Sequence, residues 1–237
     1  MRKGPTLGEF FDVRFGLKTG DDDRFIHARE GRGKNDKRLL RGDDVHRYGY
    51  KWNREYVDYR PSAMRQHRTT ARPGDAGRFE QPKVLVKDTS KRLACSFDSD
   101  NHYVKDVLIV TPNFDAGYDL RFLESLINSK IMTFYYRTTY DTLHVQSGEL
   151  KLLPLPAVDF TDSEQKAIHD TLSLDAKRLA EAINEKQTAT TNRDEEYHLR
   201  RIQSLEARIE NKLAALYGFS DAEMQVIAST VAELSSI

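Results

Sequence analysis

The chain has 237 residues, of which 38% are hydrophobic and 31% are charged. This is enough apolar material for one large domain, or for one domain with a helical appendage. No apolar run is long enough to cross a bilayer, so no membrane partner is expected. The single cysteine, Cys95, excludes an internal disulfide framework and a cysteine-rich zinc site, and it is typical of a cytoplasmic protein.

The net charge of zero is unevenly distributed. Residues 24–92 hold 19 Lys and Arg against 9 Asp and Glu, a net charge of +10, whereas residues 93–160 and 161–237 are acidic overall. A basic segment inside a neutral protein fits a surface that contacts phosphates. A solvated loop region kept soluble by its lysines and arginines fits equally well, so charge alone leaves both interpretations open.

The first half of the chain alternates predicted strands with long polar loops. Residues 7–15 predict a strand that runs into a glycine-punctuated turn at 16–20, and residues 24–26 resume strand character. Residues 27–38 and 62–80 predict exposed loops, whose length is typical of functional segments. Between them lies an aromatic and basic stretch, in which Tyr48 and Trp52 are expected to be buried on one face of a strand.

The second half predicts a β region followed by helices. Residues 83–87 predict a strand, and 93–97 with 103–110 predict a hairpin around the turn 98–101. Helical spacing begins at 120–136. Two apolar stripes between a capping box at 161–164 and Gly218 predict two antiparallel helices, and a second capping box at 220–223 predicts a short terminal helix. We favour packing of these helices within the protein over a partner interface.

These elements predict an α+β fold. A mixed-sheet domain is expected over residues 1–158, followed by a helical hairpin and a C-terminal helix over 159–237.

No complete catalytic site is recognisable in the sequence. An adenine methyltransferase needs a glycine-rich turn for its cofactor and an Asn-Pro-Pro-Tyr box for the flipped base, and the nearest stretch, residues 111–114, lacks the required pattern. Asp98, Asp100 and His102 could bind a divalent cation, but the same residue types cap polar turns, which is the interpretation we favour. We therefore expect no catalytic residue, no metal and no cofactor in this chain.

Several short motifs, in their order along the chain, resemble the TaqI-like C-terminal specificity domain of adenine-specific DNA methyltransferases and fused restriction-modification enzymes. They lie at residues 7–8, 16–20, 25–26, 40–48, 82–85, 97–98, 126–130, 134–136, 153–156 and 216–219. No single motif is specific, and their shared order carries the resemblance. A catalytic domain normally precedes this region in that family, so either an excised domain or a separate specificity subunit is expected.

The resemblance implies double-stranded DNA as the ligand and a catalytic methyltransferase or endonuclease as the partner, with S-adenosylmethionine bound by that partner. Basic residues of the segment 24–92, and Lys18 of the turn at 16–20, are then the candidate DNA contacts, and a subset on the two long loops would read base edges. They are Lys18, Arg24, Lys34, Lys37, Arg38, Arg41, Arg47, Arg54, Arg65, Arg68, Lys83 and Arg92.

We expect these candidates to fall into two classes. Arg41 and Arg47 flank a turn beside strand-like aromatics, so a rigid guanidinium could present its fork to a guanine edge. Lys34 and Lys37 lie in a predicted flexible loop and are expected to contact phosphates. The alternative for Arg41 is an ion pair with Asp43 or Asp44 inside the fold.

Two other functions stay open. The chain could be an assembly module that docks a larger complex through its helical hairpin, with a basic segment that is merely solvated. An RNA-binding module is a weaker alternative, because no ribonucleoprotein motif is present.

Overall fold

The computed structural model describes residues 4–28, 33–114, 116–140 and 142–236. The strands are β1 (Phe11–Phe15), β2 (Ile26–His27), β3 (Asp36–Arg41), β4 (Val45–His46), β5 (Gly49–Tyr50), β6 (Glu55–Asp58), β7 (Lys83–Lys87), β8 (Cys95–Asp98), β9 (Tyr103–Lys105) and β10 (Val107–Pro112). The helices are α1 (Leu7–Phe10), α2 (Asp22–Phe25), α3 (Pro61–His67), α4 (Ala76–Phe79), α5 (Leu120–Ile127), α6 (Lys130–Thr139), α7 (Ser147–Lys151), α8 (Ser163–Gln187), α9 (Asn192–Tyr217) and α10 (Asp221–Ser236).

Two four-stranded sheets and one small hairpin form the β part. The first sheet has the antiparallel order β1-β10-β7-β8, and the second has the order β2-β6-β3-β9, in which only β3 and β9 are parallel. Strands β4 and β5 form the hairpin. Sheets combined with a mainly C-terminal set of helices confirm the predicted α+β class.

The first sheet is the middle layer of the molecule. In β7, Val84 and Val86 pack into a core shared with the helices, whereas Leu85, on the opposite face, packs into a core shared with the second sheet. Burial on both faces explains why this strand is an almost continuous apolar run rather than an alternating one.

Helix α5 covers the edge strand β8 of the first sheet. The side chain of Asn128, just after α5, exchanges two hydrogen bonds of 2.9 Å with the backbone of Cys95 in β8. The Glu124 carboxylate accepts the amide of Phe97 at 2.9 Å. These bonds satisfy backbone groups that an uncovered edge strand would expose for aggregation.

Helices α8 and α9 belong to the same core as the first sheet. Leu172 and Leu179 from α8, and Ile209 and Leu213 from α9, are buried in the cluster that also contains Val84. The predicted hairpin is confirmed, and its apolar stripes pack within the protein. The domain boundary at 158 stays a prediction. Within the described residues, no helix is both long and apolar enough to cross a membrane.

Several local predictions were wrong. Residues 7–10 form α1 rather than strand, because the Glu9 carboxylate accepts the amide of Thr6 at 2.7 Å and caps a helical turn. The predicted helix 120–136 is two helices, since Ser129 caps α6 by accepting the amide of Met132. The predicted loop 62–80 contains α3, which begins at Pro61, and α4. Within the predicted loop 27–38, residues 29–32 lie outside the described part of the chain.

The hairpin predicted around residues 98–101 was also wrong. Strand β8 pairs with β7, and β9 pairs instead with β3 of the second sheet. The Asp98 carboxylate accepts the amides of Asp100 and His102 at 3.0 and 3.1 Å, and so turns the chain out of the first sheet. The helix signals near the C-terminus were correct, with Gly218 in the left-handed conformation at φ +71° and Glu223 bonded to the amide of Ser220.

Candidate nucleic-acid interface

Six of the twelve candidate DNA contacts are exposed cations. Among the described residues, their side chains form no ion pair and no hydrogen bond, and Arg24 alone of the six lies near an aromatic ring, that of Phe25. The six are Lys18, Arg24, Lys34, Arg54, Arg65 and Arg68. A cation without a partner in the protein can meet a phosphate without breaking an existing bond.

Two segments bring four of these cations to one part of the surface. Residues 16–25 carry Lys18 and Arg24, and residues 61–72 carry Arg65 and Arg68. The backbones of Lys18 and Arg72 exchange two hydrogen bonds of 2.7 Å. We call Lys18, Arg24, Arg65, Arg68 and Arg72 the basic surface.

A second contact between the segments 16–25 and 61–72 is a side-chain pair, Asp21 with His67. The His67 Nε2 atom lies 2.7 Å from the Asp21 Oδ2 atom, and the ring of His67 meets the ring of Phe25 edge-on at 6.0 Å. Hydrogen bonding to His67 comes first among the effects that lower the pKa of Asp21. The carboxylate therefore stays ionised and paired at neutral pH.

Gly20 is required where the two segments touch. Its φ is +82°, and a side-chain Cβ at this position would lie 2.7 Å from the Cβ of Arg68. The glycine turn predicted at 16–20 is thus a point of close approach as well as a turn. Arg72 was not singled out from the sequence, although it lies in the predicted basic loop.

A groove of about 630 Å³ beside the turn is less suited to phosphate. It is lined by Lys18, Arg72 and Lys105, but also by Asp21, Asp22, Asp88 and Asp106. Lys105 is neutralised there by Asp22 and Asp106 at 3.1 and 2.9 Å. Four carboxylates thus face three cations in this groove, so the groove itself is not basic.

Lys83 cannot contact DNA in this structure, which corrects its prediction. Its side chain is fully buried, its Nζ atom lies 2.6 Å from Asp98 Oδ2, and it donates to the carbonyl of Phe79 at 2.6 Å. Burial raises the pKa of Asp98, but hydrogen bonding to His102 and the attraction of Lys83 outweigh it and hold this pKa at about 2. A buried lysine survives only with such a partner.

The same contacts argue against the metal site considered at Asp98, Asp100 and His102. Their ligand atoms do lie within 4.8 Å of one another. Both oxygens of Asp98, however, already accept hydrogen bonds, and the Lys83 ammonium occupies the position beside them. Asp98 caps a turn, which is the interpretation that we favoured from the sequence.

Arg41 is engaged inside the fold. Its guanidinium donates two hydrogen bonds to Glu55, at 2.5 and 3.1 Å, and its backbone amide donates to Asp44 at 2.8 Å. The fork that was assigned to a guanine edge is therefore occupied. The alternative of an intramolecular ion pair is correct in kind, but its acceptor is Glu55 rather than Asp43 or Asp44.

Arg47 and Arg92 are directed toward helix α9. Arg47 donates to Glu206 at 2.8 Å and to the carbonyl of Asn128 at 3.2 Å. Arg92 lies 3.9 Å from Glu210, at the wall of a groove of about 760 Å³ between α9 and α10. Arg47 thus links the turn of the β4–β5 hairpin to α9, and contact of either arginine with DNA would require these pairs to open.

Lys37 and Arg38 lie on strand β3 rather than in a flexible loop. Lys37 pairs with Glu80 at 2.7 Å. Arg38 is exposed, donates to the carbonyl of Asp100 at 2.8 Å and lies 5.7 Å above the ring of Trp52. Tyr48 is buried as predicted, whereas Trp52 is half-buried.

Comparisons with known proteins agree with this fold. Residues 37–155 match the TaqI-like C-terminal specificity domain. A solved structure of the Type IIL restriction-modification enzyme MmeI in complex with DNA is similar in fold, with a TM-score of 0.56 and 12% sequence identity. The similarity covers the whole of this chain and 37% of that one. No curated protein matches the chain. Since the family match spans half of its residues, the chain belongs to the family of TaqI-like C-terminal specificity domains.

Proposed function

We propose that the chain binds double-stranded DNA as the target-recognition part of a restriction-modification enzyme. The observation that carries the proposal is the contact between the segments 16–25 and 61–72, which carry Lys18, Arg24, Arg65 and Arg68, four exposed cations with no side-chain partner among the described residues. Membership of a specificity-domain family and a fold shared with an enzyme solved on DNA support it.

The basic surface would bind the DNA backbone. Each cation that meets a phosphate releases a condensed counterion, so binding is favoured at low salt and weakened as salt rises. Such contacts fix the position of the domain on the duplex and carry no sequence information by themselves.

Base reading is proposed for Arg38. The carbonyl of Asp100 and the face of Trp52 hold its guanidinium in place, and its side chain stays exposed. A rigid arginine can present two donors to the O6 and N7 atoms of guanine, which a mobile one does poorly.

Catalysis would belong to a partner domain or subunit. That partner would bind S-adenosylmethionine, flip the target adenine and modify it while this chain holds the remaining bases. The assembly-module alternative loses its main support, because the apolar stripes of α8 and α9 are buried in the chain's own core.

Fluorescence anisotropy on labelled random duplexes tests the proposal. Affinity should fall on the order of a hundredfold or more between 50 and 200 mM salt, since several phosphates are neutralised. Selection from a random duplex library should then enrich one short sequence. A chain that binds no duplex at 50 mM salt, or that enriches no sequence, contradicts the proposal.

A preferred sequence from that selection allows Arg38 to be tested. Arg38→Ala should lose about 1–3 kcal/mol on the selected site and much less on random duplexes. Arg54→Ala, an exposed arginine of the same basic segment, is the matched control. Equal losses on both duplexes would make Arg38 a phosphate contact.

A further inference from the structure

Three cations converge on one carboxylate beside the basic surface. Asp12 in β1 accepts hydrogen bonds from Arg78 at 2.6 Å, Arg14 at 3.1 Å and Lys151 at 3.2 Å. We call these four residues the Asp12 cluster. Three positive charges face one negative charge, so the cluster carries two positive charges in excess.

The cluster is built from three separate elements. Arg14 lies on the same strand as Asp12, Arg78 lies on α4, and Lys151 ends α7. Gly8 lets α7 approach, because a Cβ there would lie 2.9 Å from the Cβ of Lys151. The charge count along the sequence did not predict this cluster, because only Arg78 belongs to the basic segment 24–92.

Its cations are not sealed in the interior. The side chain of Arg14 is 60% exposed, those of Arg78 and Lys151 about a third, and that of Asp12 19%. Burial raises the pKa of Asp12, but hydrogen bonds from Arg78, Arg14 and Lys151 outweigh it and hold this pKa well below its usual range. The carboxylate is therefore an anion held by donors that water can reach.

The cluster continues the basic surface along the chain. Asp12 and Lys18 are six residue steps apart, a distance of at most about 20 Å. The backbone of Lys18 pairs with that of Arg72, six residues before Arg78. About 20 Å is well within one turn of B-form DNA, which rises about 34 Å. One duplex is therefore long enough to span both places.

We propose that the Asp12 cluster is a second contact for the DNA backbone, in which a phosphate takes donors that Asp12 occupies in the free protein. The inference rests on the proposed function and adds to it a site of which only Arg78 lies in the segment 24–92. Arg14, the most exposed of the three cations, is the first to leave Asp12 for a phosphate.

Asp12→Asn tests the exchange on random duplexes. Removal of the competing charge should tighten binding about threefold to tenfold, the scale of one unit charge at contact distance in water. Glu196→Gln is the control, because it also removes a carboxylate paired with an arginine, Arg200, but on α9. It should leave binding unchanged.

Arg14→Gln tests the cation side, with melting temperature as the check on folding. It should weaken binding to all duplexes alike and lower the slope of log affinity against log salt by about one unit. If the wild-type protein binds duplexes and both variants bind them equally well, the inference is wrong but the proposed function stands. Wild-type protein that binds no duplex overturns the proposed function first.

Discussion

Replacement of Lys83 by methionine tests whether this lysine stabilises the fold or binds DNA. The change removes the ammonium 2.6 Å from Asp98 and leaves that carboxylate buried. Loss of one partner of a buried ion pair costs about 3–5 kcal/mol. His102 and the two turn amides still donate to Asp98, so we expect the lower end, about 3 kcal/mol. For a chain of this size that lowers the melting temperature by roughly 6–12 °C.

Differential scanning calorimetry measures the shift, and Lys87→Met is the matched control. Lys87 lies on the same strand but pairs with Asp43, whose side chain is 99% exposed, so its loss should move the melting temperature far less. Binding of random duplexes by folded Lys83→Met protein should equal that of the wild type. A variant that melts as the wild type does but binds DNA more weakly would refute the assignment.

Three further predictions concern stability. The pKa of Asp98 in the folded protein, about 2, lies below its ordinary value of 3.8, so its contribution to stability is complete above pH 4 and is lost as the pH falls toward 2. Urea unfolding from pH 5 to 2 should show this loss of stability, and Asp98→Asn should abolish the pH dependence. A double-mutant cycle of Arg47→Ala and Glu206→Gln should give a coupling of about 1 kcal/mol by chemical denaturation, whereas additive effects would mean that the pair is not formed. Removal of residues 159–237 should abolish cooperative unfolding, because α8 and α9 supply part of the core of the first sheet; a truncated chain that unfolds cooperatively would make the helices an appended unit.

Elements with strong local signals could be predicted from the sequence. The long helices follow apolar stripes and caps, and β7 follows a compact apolar run. The order of the short family motifs along the chain was enough to indicate a specificity domain. The capping pair Thr6 and Glu9 is also visible in the sequence, and it would have predicted a helix rather than a strand at residues 7–10.

Strand pairing could not be derived in the same way. Residues 95–105 contain β8 and β9 separated by a polar turn, which is the local pattern of a hairpin. The carboxylate of Asp98 and the burial of Tyr103 in the second core direct the chain to another sheet. Those are tertiary effects, and local turn chemistry does not report them.

The candidate site was predicted in outline but not residue by residue. A count of charges locates a basic segment, but it does not distinguish a free cation such as Arg65 from one paired at long range. The partners of Lys37, Arg41 and Arg47 lie 43, 14 and 159 residues away in sequence. Only the fold brings these groups together, so local sequence patterns do not reveal the pairs.

The salt dependence of DNA binding by two charge-matched variants tests the basic surface most directly. One variant replaces Lys18, Arg24, Arg65 and Arg68 of the basic surface with glutamine. The other replaces four exposed cations of the helical hairpin with glutamine, namely Lys166, Lys177, Arg178 and Arg200. Both lose four positive charges, so long-range electrostatics change by the same amount. We expect the slope of log affinity against log salt to fall by about three to four units in the first variant and to stay near the wild-type value in the second. Equal slopes in the two variants would contradict the assignment of this surface to DNA.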